Sequence, residues 1–155
     1  MSQVVLMCGP AGAGKSTVAR RLESYGWERL SVDVLGWERG QREHPLADTV
    51  VAALQAELRS RLVELVLHGR DVVVDSAFWS RASRDEYRAL LLPHGVVPEV
   101  WYLATSRDVV LARVAARDAS GPDSIVLPRV LAERYFDQFE IPTRDEGPLR
   151  VIAPD

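Results

Sequence analysis

Residues Gly9-Pro10-Ala11-Gly12-Ala13-Gly14-Lys15-Ser16 match the spacing G-x-x-x-x-G-K-[ST] at every fixed position, and Thr17 follows. Each residue type has a chemical reason. The glycines let the backbone wrap so that successive N–H groups converge on phosphate oxygens. Lys15 is placed to reach the β- and γ-phosphates, and the Ser16 hydroxyl to ligate Mg²⁺. A helix beginning near Lys15 would add its positive end. The run from Gly9 to Thr17 is therefore expected to bind a nucleoside triphosphate.

Further residues could act on those phosphates. Asp33, in "LSVDVLG", stands at the carboxyl end of an expected strand, where it could orient a hydroxyl and accept its proton. Asp75 ends the apolar run "VVV" and could hold a Mg²⁺-bound water beside the phosphate loop. A turn cap is an equal alternative for Asp33 and the weaker one for Asp75. Arg113 and Arg117 are four apart, hence expected on one helical face, where two guanidiniums could clamp a migrating phosphoryl group. A solvated basic face is the competing reading, the stronger one for Arg113.

The elements that must position these residues alternate regularly. "QVVLMC" (3–8) reads as a buried strand and "KSTVARRLESYG" as a helix with Val18, Leu22 and Tyr25 on one side. "WERLSV" (27–32) reads as a strand and 36–45 as a polar loop. A long helix is expected over 47–68, then a buried strand at 71–78. Ser83 with Glu86 three residues on suggests a capping box. "PEVWYLAT" reads as a strand, 106–118 as a helix, 118–127 as a short lid, and the chain from Pro128 as a helix. "GPLRVIA" supplies the last strand. Such alternation gives a parallel α/β sheet covered on both faces, as one domain over 1–155.

Composition narrows the class. The chain is 47% apolar with net charge −3, which argues against a protein bound to long nucleic acid. No run is long enough to cross a bilayer, and the N-terminus lacks the marks of a signal peptide. One cysteine, Cys8, excludes an internal disulfide and fits a reducing cytoplasm as a buried thiol. No protein partner is implied. Of 19 basic residues the only lysine is Lys15. A compact ammonium suits a phosphate cradle where a forked guanidinium does not.

The segments "GPAGAGKST", "SVD", "VVVDSAFWSRASRDEYRALL" and "VWYLATSRDVVLARVAARD" together resemble the compact P-loop kinases. This group holds the kinase half of phage-type polynucleotide kinases, chloramphenicol phosphotransferase and zeta-toxin-like kinases. The resemblance implies a five-stranded sheet of order 2-3-1-4-5, ATP as donor, Asp33 as general base and Arg117 as the lid arginine. It also implies an adenine pocket near 143–148. The polynucleotide branch tends to carry a basic residue and a second acid around the base, whereas Val32 and Val34 flank Asp33 here. An acceptor pocket is expected from Trp37, Arg39, Arg42 and His44 on one side and Phe78, Trp79, Arg81 and Arg84 on the other. Core packing of Trp37 and Trp79 is an equal alternative, and His44 reads as an ordinary loop residue. The leading expectation is a kinase of a small-molecule hydroxyl. The alternatives are a 5′-hydroxyl polynucleotide kinase and a nucleotide-binding module without catalysis.

Overall fold

In the computed structural model, which describes residues 2–42 and 44–153, five parallel strands form one sheet of order β2-β3-β1-β4-β5. Residues 1, 43, 154 and 155 of the expected domain lie outside the described residues. The strands are β1 (Val4–Cys8), β2 (Glu28–Ser31), β3 (Val72–Asp75), β4 (Glu99–Leu103) and β5 (Leu149–Ile152). The helices are α1 (Lys15–Ser24), α2 (Val32–Glu38), α3 (Asp48–Leu67), α4 (Arg81–Leu91), α5 (Arg107–Ala115) and α6 (Arg129–Asp137). The sheet order agrees with the one implied by the resemblance.

The strands divide their side chains between two cores because successive residues point to opposite faces. Val4, Leu6 and Cys8 of β1 pack with Leu54, Leu58 and Leu62 of α3 and Leu91 of α4. Val5 and Met7 pack on the other face with Ala19 of α1 and Val110 of α5. All four residues of β3 are buried, as its unbroken apolar run implied. Burial holds the Cys8 thiol up at about 11, so it stays protonated and inert.

Four local expectations are corrected. β2 passes into α2 without a loop: the Ser31 side chain caps the helix by accepting from the Val34 backbone N at 3.2 Å. Asp33 sits in the first turn of that helix, where a carboxylate complements the positive end. The polar text of 36–45 therefore begins as helix, and Gly36 is buried within it. The cap of α4 is Ser80, whose hydroxyl accepts from the Ser83 backbone at 3.1 Å, so Ser83 lies inside the helix. Tyr25 does not share the buried side of α1; it follows the last helical turn and is 78% exposed. Finally, α5 ends at Ala115, so Arg113 and Arg117 do not share a helical face.

Candidate active site

The loop between β1 and α1 is fixed before any ligand is considered. Gly9 N donates to the Ala77 carbonyl at 3.1 Å, and the Thr105 hydroxyl donates to the Ala13 carbonyl at 2.8 Å. Gly12 and Gly14 have φ of 90° and 105°, in the left-handed region that glycine enters without strain. A Cβ at Gly12 would meet the Val110 carbonyl oxygen at 2.6 Å and the Val114 side chain at 2.9 Å. Gly12→Ala is therefore expected to destabilise the chain by about 1–3 kcal/mol. It should also weaken Mg²⁺·ATP binding at least about tenfold, by moving the loop off α5. Urea unfolding and calorimetric titration would check the two effects.

A cleft of about 1250 Å³ runs from this loop across the carboxyl ends of the strands. Pro10 through Thr17 line it, together with Asp33, Asp75, Trp79, Arg113 and Arg117. Gly9 lies beneath, buried. Lys15 Nζ donates to the carbonyls of Gly9 at 2.7 Å and Pro10 at 3.1 Å. Burial lowers the Lys15 pKa, while Asp75 and then Asp33 pull it back up. Asp33 is open to the cleft by area yet enclosed by its walls. That enclosure raises its carboxyl above the usual aspartate range, with Lys15 opposing and Asp75 adding to the rise. Weaker attractions from His44 and Arg117 also reach it. Asp33, Lys15 and Arg117 thus share one electrostatic neighbourhood.

The two arginines diverge. Arg117 turns inward past the end of α5, with Nη1 3.4 Å from the Ile125 carbonyl. Arg113 lies over the phosphate loop, with Nη1 at 3.4 Å and 3.3 Å from the carbonyls of Gly12 and Ala13. It braces the loop's backbone there.

Asp75 is buried at the end of β3 and carries a partner that sequence reading passed over. Arg29 of β2 places Nη2 2.6 Å and Nε 3.1 Å from the same oxygen, Oδ2. The same Nη2 reaches Asp123 Oδ1 at 2.6 Å, tying the 118–127 loop to the sheet. Asp123 also pairs with Arg20 of α1 at 2.8 Å, and the Ser16 hydroxyl lies against it. Charge alternation at 29, 75 and 123 gives no sequence signal, because the three meet only across the fold. Among the described residues no group of three or more His, Cys, Asp or Glu could hold a metal by itself. Ser16 and Asp75, with Oδ1 of Asp75 left free by Arg29, fit a cation held chiefly by phosphate oxygens.

The expected acceptor residues separate in the fold. Trp79 lines the cleft and is 54% exposed. Trp37 does not line it; the Arg42 guanidinium lies over its ring at 3.7 Å. Arg39 pairs with Glu57 at 2.6 Å on the far side of α2. Arg81 pairs with Asp145 at 3.1 Å outside the cleft. Arg84 is a correction: its side chain is 0% exposed and forks onto Glu146 at 2.9 Å through both Nε and Nη2. It belongs to the core, with Nη1 4.0 Å from Cys8 Sγ of the central strand β1. Phe78 is also buried, with φ of 49°. His44, by contrast, faces the cleft.

A family model described as "AAA domain" matches residues 4–142, most of the chain. The chain belongs to this AAA-domain family. No curated protein matches the AAA-domain chain. It is similar in structure to a gluconokinase from Sinorhizobium meliloti, with TM-score 0.68 and 21% identity over 97% of this chain and 82% of that one. A second similar structure is the Mycobacterium tuberculosis APS kinase in complex with AMPPNP and APS. There the TM-score is 0.65 and the identity 20%, over 99% of this chain and 89% of that one. A chain of the Pnkp1/Rnl/Hen1 RNA repair complex gives TM-score 0.76 and 16% identity, covering 88% of this chain and 43% of that one. The AAA-domain chain thus has the P-loop fold used by kinases of different acceptors. No described helix is long and apolar enough to cross a membrane.

Proposed function

We propose that the chain is an ATP-dependent kinase transferring the γ-phosphoryl group to a hydroxyl of a small molecule, with Asp33 as general base. The observation that carries this reading is that Asp33, Lys15 and Arg117 line the same cleft as the phosphate loop, near enough for their charges to act on one another. A protein that only holds nucleotide has no use for a carboxylate there.

The acceptor oxygen attacks the γ-phosphorus as its proton passes to an Asp33 oxygen. The bond from the γ-phosphorus to the β–γ bridging oxygen breaks, and ADP leaves with that electron pair. The enclosure that raises Asp33 makes it a stronger base than an open carboxylate. Lys15 and Arg117 offset the charge on the transferring group, and the loop N–H groups hold the α- and β-phosphates. Mg²⁺, with Ser16 as ligand and Asp75 behind its water, would screen the β- and γ-oxygens. Residues 118–127 act as the lid of a single domain, and closure over the transferring group keeps water out. A reducing, ATP-rich cytoplasm suits both this chemistry and the buried thiol.

A neutral-acceptor reading is favoured over a 5′-hydroxyl polynucleotide because Arg39, Arg42, Arg81 and Arg84 are all engaged away from the cleft. Transfer of labelled γ-phosphate from ATP tests the proposal, with polyols and amino alcohols in one set and a 5′-hydroxyl oligonucleotide in another. Labelled small-molecule product is the expected result. Tight Mg²⁺·ATP binding with no transfer or hydrolysis above background would leave a nucleotide-binding module instead.

A further inference from the structure

The ion-pair network beside the phosphate loop contains a residue that neither the phosphate grip nor the transfer step uses. Asp123 belongs to the 118–127 loop, and that loop is folded on itself. Ala119 N donates to the Ser124 carbonyl at 2.9 Å, Ser120 N to Asp118 Oδ1 at 3.0 Å, and Asp118 N to Ser124 Oγ at 3.1 Å. Asp123 therefore rides on a compact turn, and where its carboxylate is held the turn is held too.

That carboxylate is held by a buried guanidinium. Arg29, with a side chain 8% exposed, reaches Asp123 Oδ1 at 2.6 Å through Nη2 and Oδ2 at 3.3 Å through Nη1. The same Nη2 is 2.6 Å from Asp75 Oδ2, so the two carboxylate oxygens stand within about 5 Å of each other. Carboxylates that close repel unless a cation sits between them. Arg29 is that cation, and Arg20 pairs with Asp123 at 2.8 Å from the more exposed side. Two acids and two guanidiniums leave the cluster without net charge. Ser16, whose hydroxyl lies against Asp123, and Asp75 are the residues that fit Mg²⁺, and all three line the cleft.

We propose that Asp123 is a positioning residue for the magnesium side of the site: joined to Asp75 through Arg29, it seats the 118–127 loop beside Ser16, and its charge makes loop seating and metal binding one coupled step. The role rests on the nucleotide site of the kinase reading above, not on transfer itself. Such coupling is reciprocal, so whatever the seated loop adds to metal affinity the metal adds to loop seating. The sign is specific. Without the Asp123 charge the cluster is net positive beside Ser16, which favours bare phosphate and disfavours a cation.

The test measures ADP binding to the full chain by calorimetry, once in EDTA and once in excess Mg²⁺. In EDTA, Asp123→Asn should bind ADP as tightly as the parent or up to about fivefold tighter. The factor by which Mg²⁺ raises ADP affinity should fall at least about fivefold in the variant. A merely structural role would weaken ADP alike in both buffers. Loop position is read separately from the methyl signal of Ile125, which lines the cleft at 6% exposure and is one of three isoleucines in the chain. Mg²⁺ should shift this ¹H–¹³C signal, assigned by Ile125→Val, in the ADP-bound parent. In Asp123→Asn, and in Arg29→Lys, which cannot fork onto two carboxylates, it should move less than half as far. The proposal is overturned by a Mg²⁺ factor unchanged in Asp123→Asn or absent from the parent. Equal losses in both buffers, or an Ile125 response identical in parent and variants, would overturn it too. None of these readouts needs an acceptor, so failure here is distinct from failure of the kinase reading, which shows as absent γ-phosphate transfer.

Discussion

Replacing Asp33 with asparagine is expected to lower phosphoryl transfer by about 10²–10⁴-fold while leaving Mg²⁺·ATP affinity within about twofold. The amide keeps the shape and can still accept a hydrogen bond from the acceptor hydroxyl, but it cannot take the proton. Nucleotide affinity survives because the triphosphate is held by the loop N–H groups, Lys15 and Ser16, none of which hydrogen-bonds to Asp33. Single-turnover transfer beside calorimetric ATP titration separates the two terms. A variant that transfers at the parent rate removes Asp33 as the base.

The pH dependence follows from the same enclosure. Asp33 titrates above the ordinary 3.8, so the acid limb of kcat/KM should lie above that value and should vanish in the residual rate of the asparagine variant. The sign for stability is the reverse of a salt-bridged aspartate. A carboxyl raised in the folded state favours the protonated form. Its stabilising contribution is complete below the unfolded value and is lost as pH rises through the folded one. Asp33→Asn should therefore melt slightly higher than the parent at neutral pH, with the gap closing toward acid. Cleft water still reaches the group, so the gain should stay below about 2–4 °C.

Glu146→Ala is expected to cost about 3–5 kcal/mol, the largest stability loss of any single exchange considered. The Arg84 and Glu146 side chains are 0% and 2% exposed, and the guanidinium forks onto both carboxylate oxygens. Removing the acid strands a charge that water cannot reach. Arg88, whose Nη atoms lie 3.3 Å from the same carboxylate, keeps only Asp85, at 2.9 Å. The remaining Arg84 nitrogen, Nη1, donates to the Phe78 carbonyl at 2.8 Å. That bond steadies a residue in the left-handed region one position before Trp79. The variant should therefore also loosen the cleft wall at Trp79. Urea unfolding checks the energy, and a loss under about 1 kcal/mol would mean the pair contributes little. Glu146→Gln, which keeps the shape and one acceptor, should recover part of the deficit.

The phosphate loop was legible in the sequence because its chemistry is local: eight adjacent residues, a strand before them and a helix after them. The alternation of strands and helices was legible for a similar reason. Apolar periodicity records which faces are buried whatever the order of packing, and the unbroken "VVV" of β3 announced a strand covered on both sides. The turn into α2 could also have been read, since Ser31 followed by Asp33 is a cap and an acidic first turn. Loop-like composition from Gly36 obscured it. The helix at 107–115 was found but overextended, which put Arg117 on the wrong element.

What only the tertiary structure decided was the fate of the charges. Arg84 and Trp79 stand five residues apart with similar claims to the acceptor pocket. Packing sent the arginine to a buried carboxylate 62 positions away and left the indole on the cleft. The sequence alone could not make that choice, because an arginine's partner is set by which distant carboxylate shares its low-dielectric surroundings. The same holds for Arg29, fastened between Asp75 and Asp123, and for His44, a loop residue by composition that the fold turns toward Asp33. Local spacing marked out the phosphate loop; long-range pairing of charges decided which side chains on the cleft stay free.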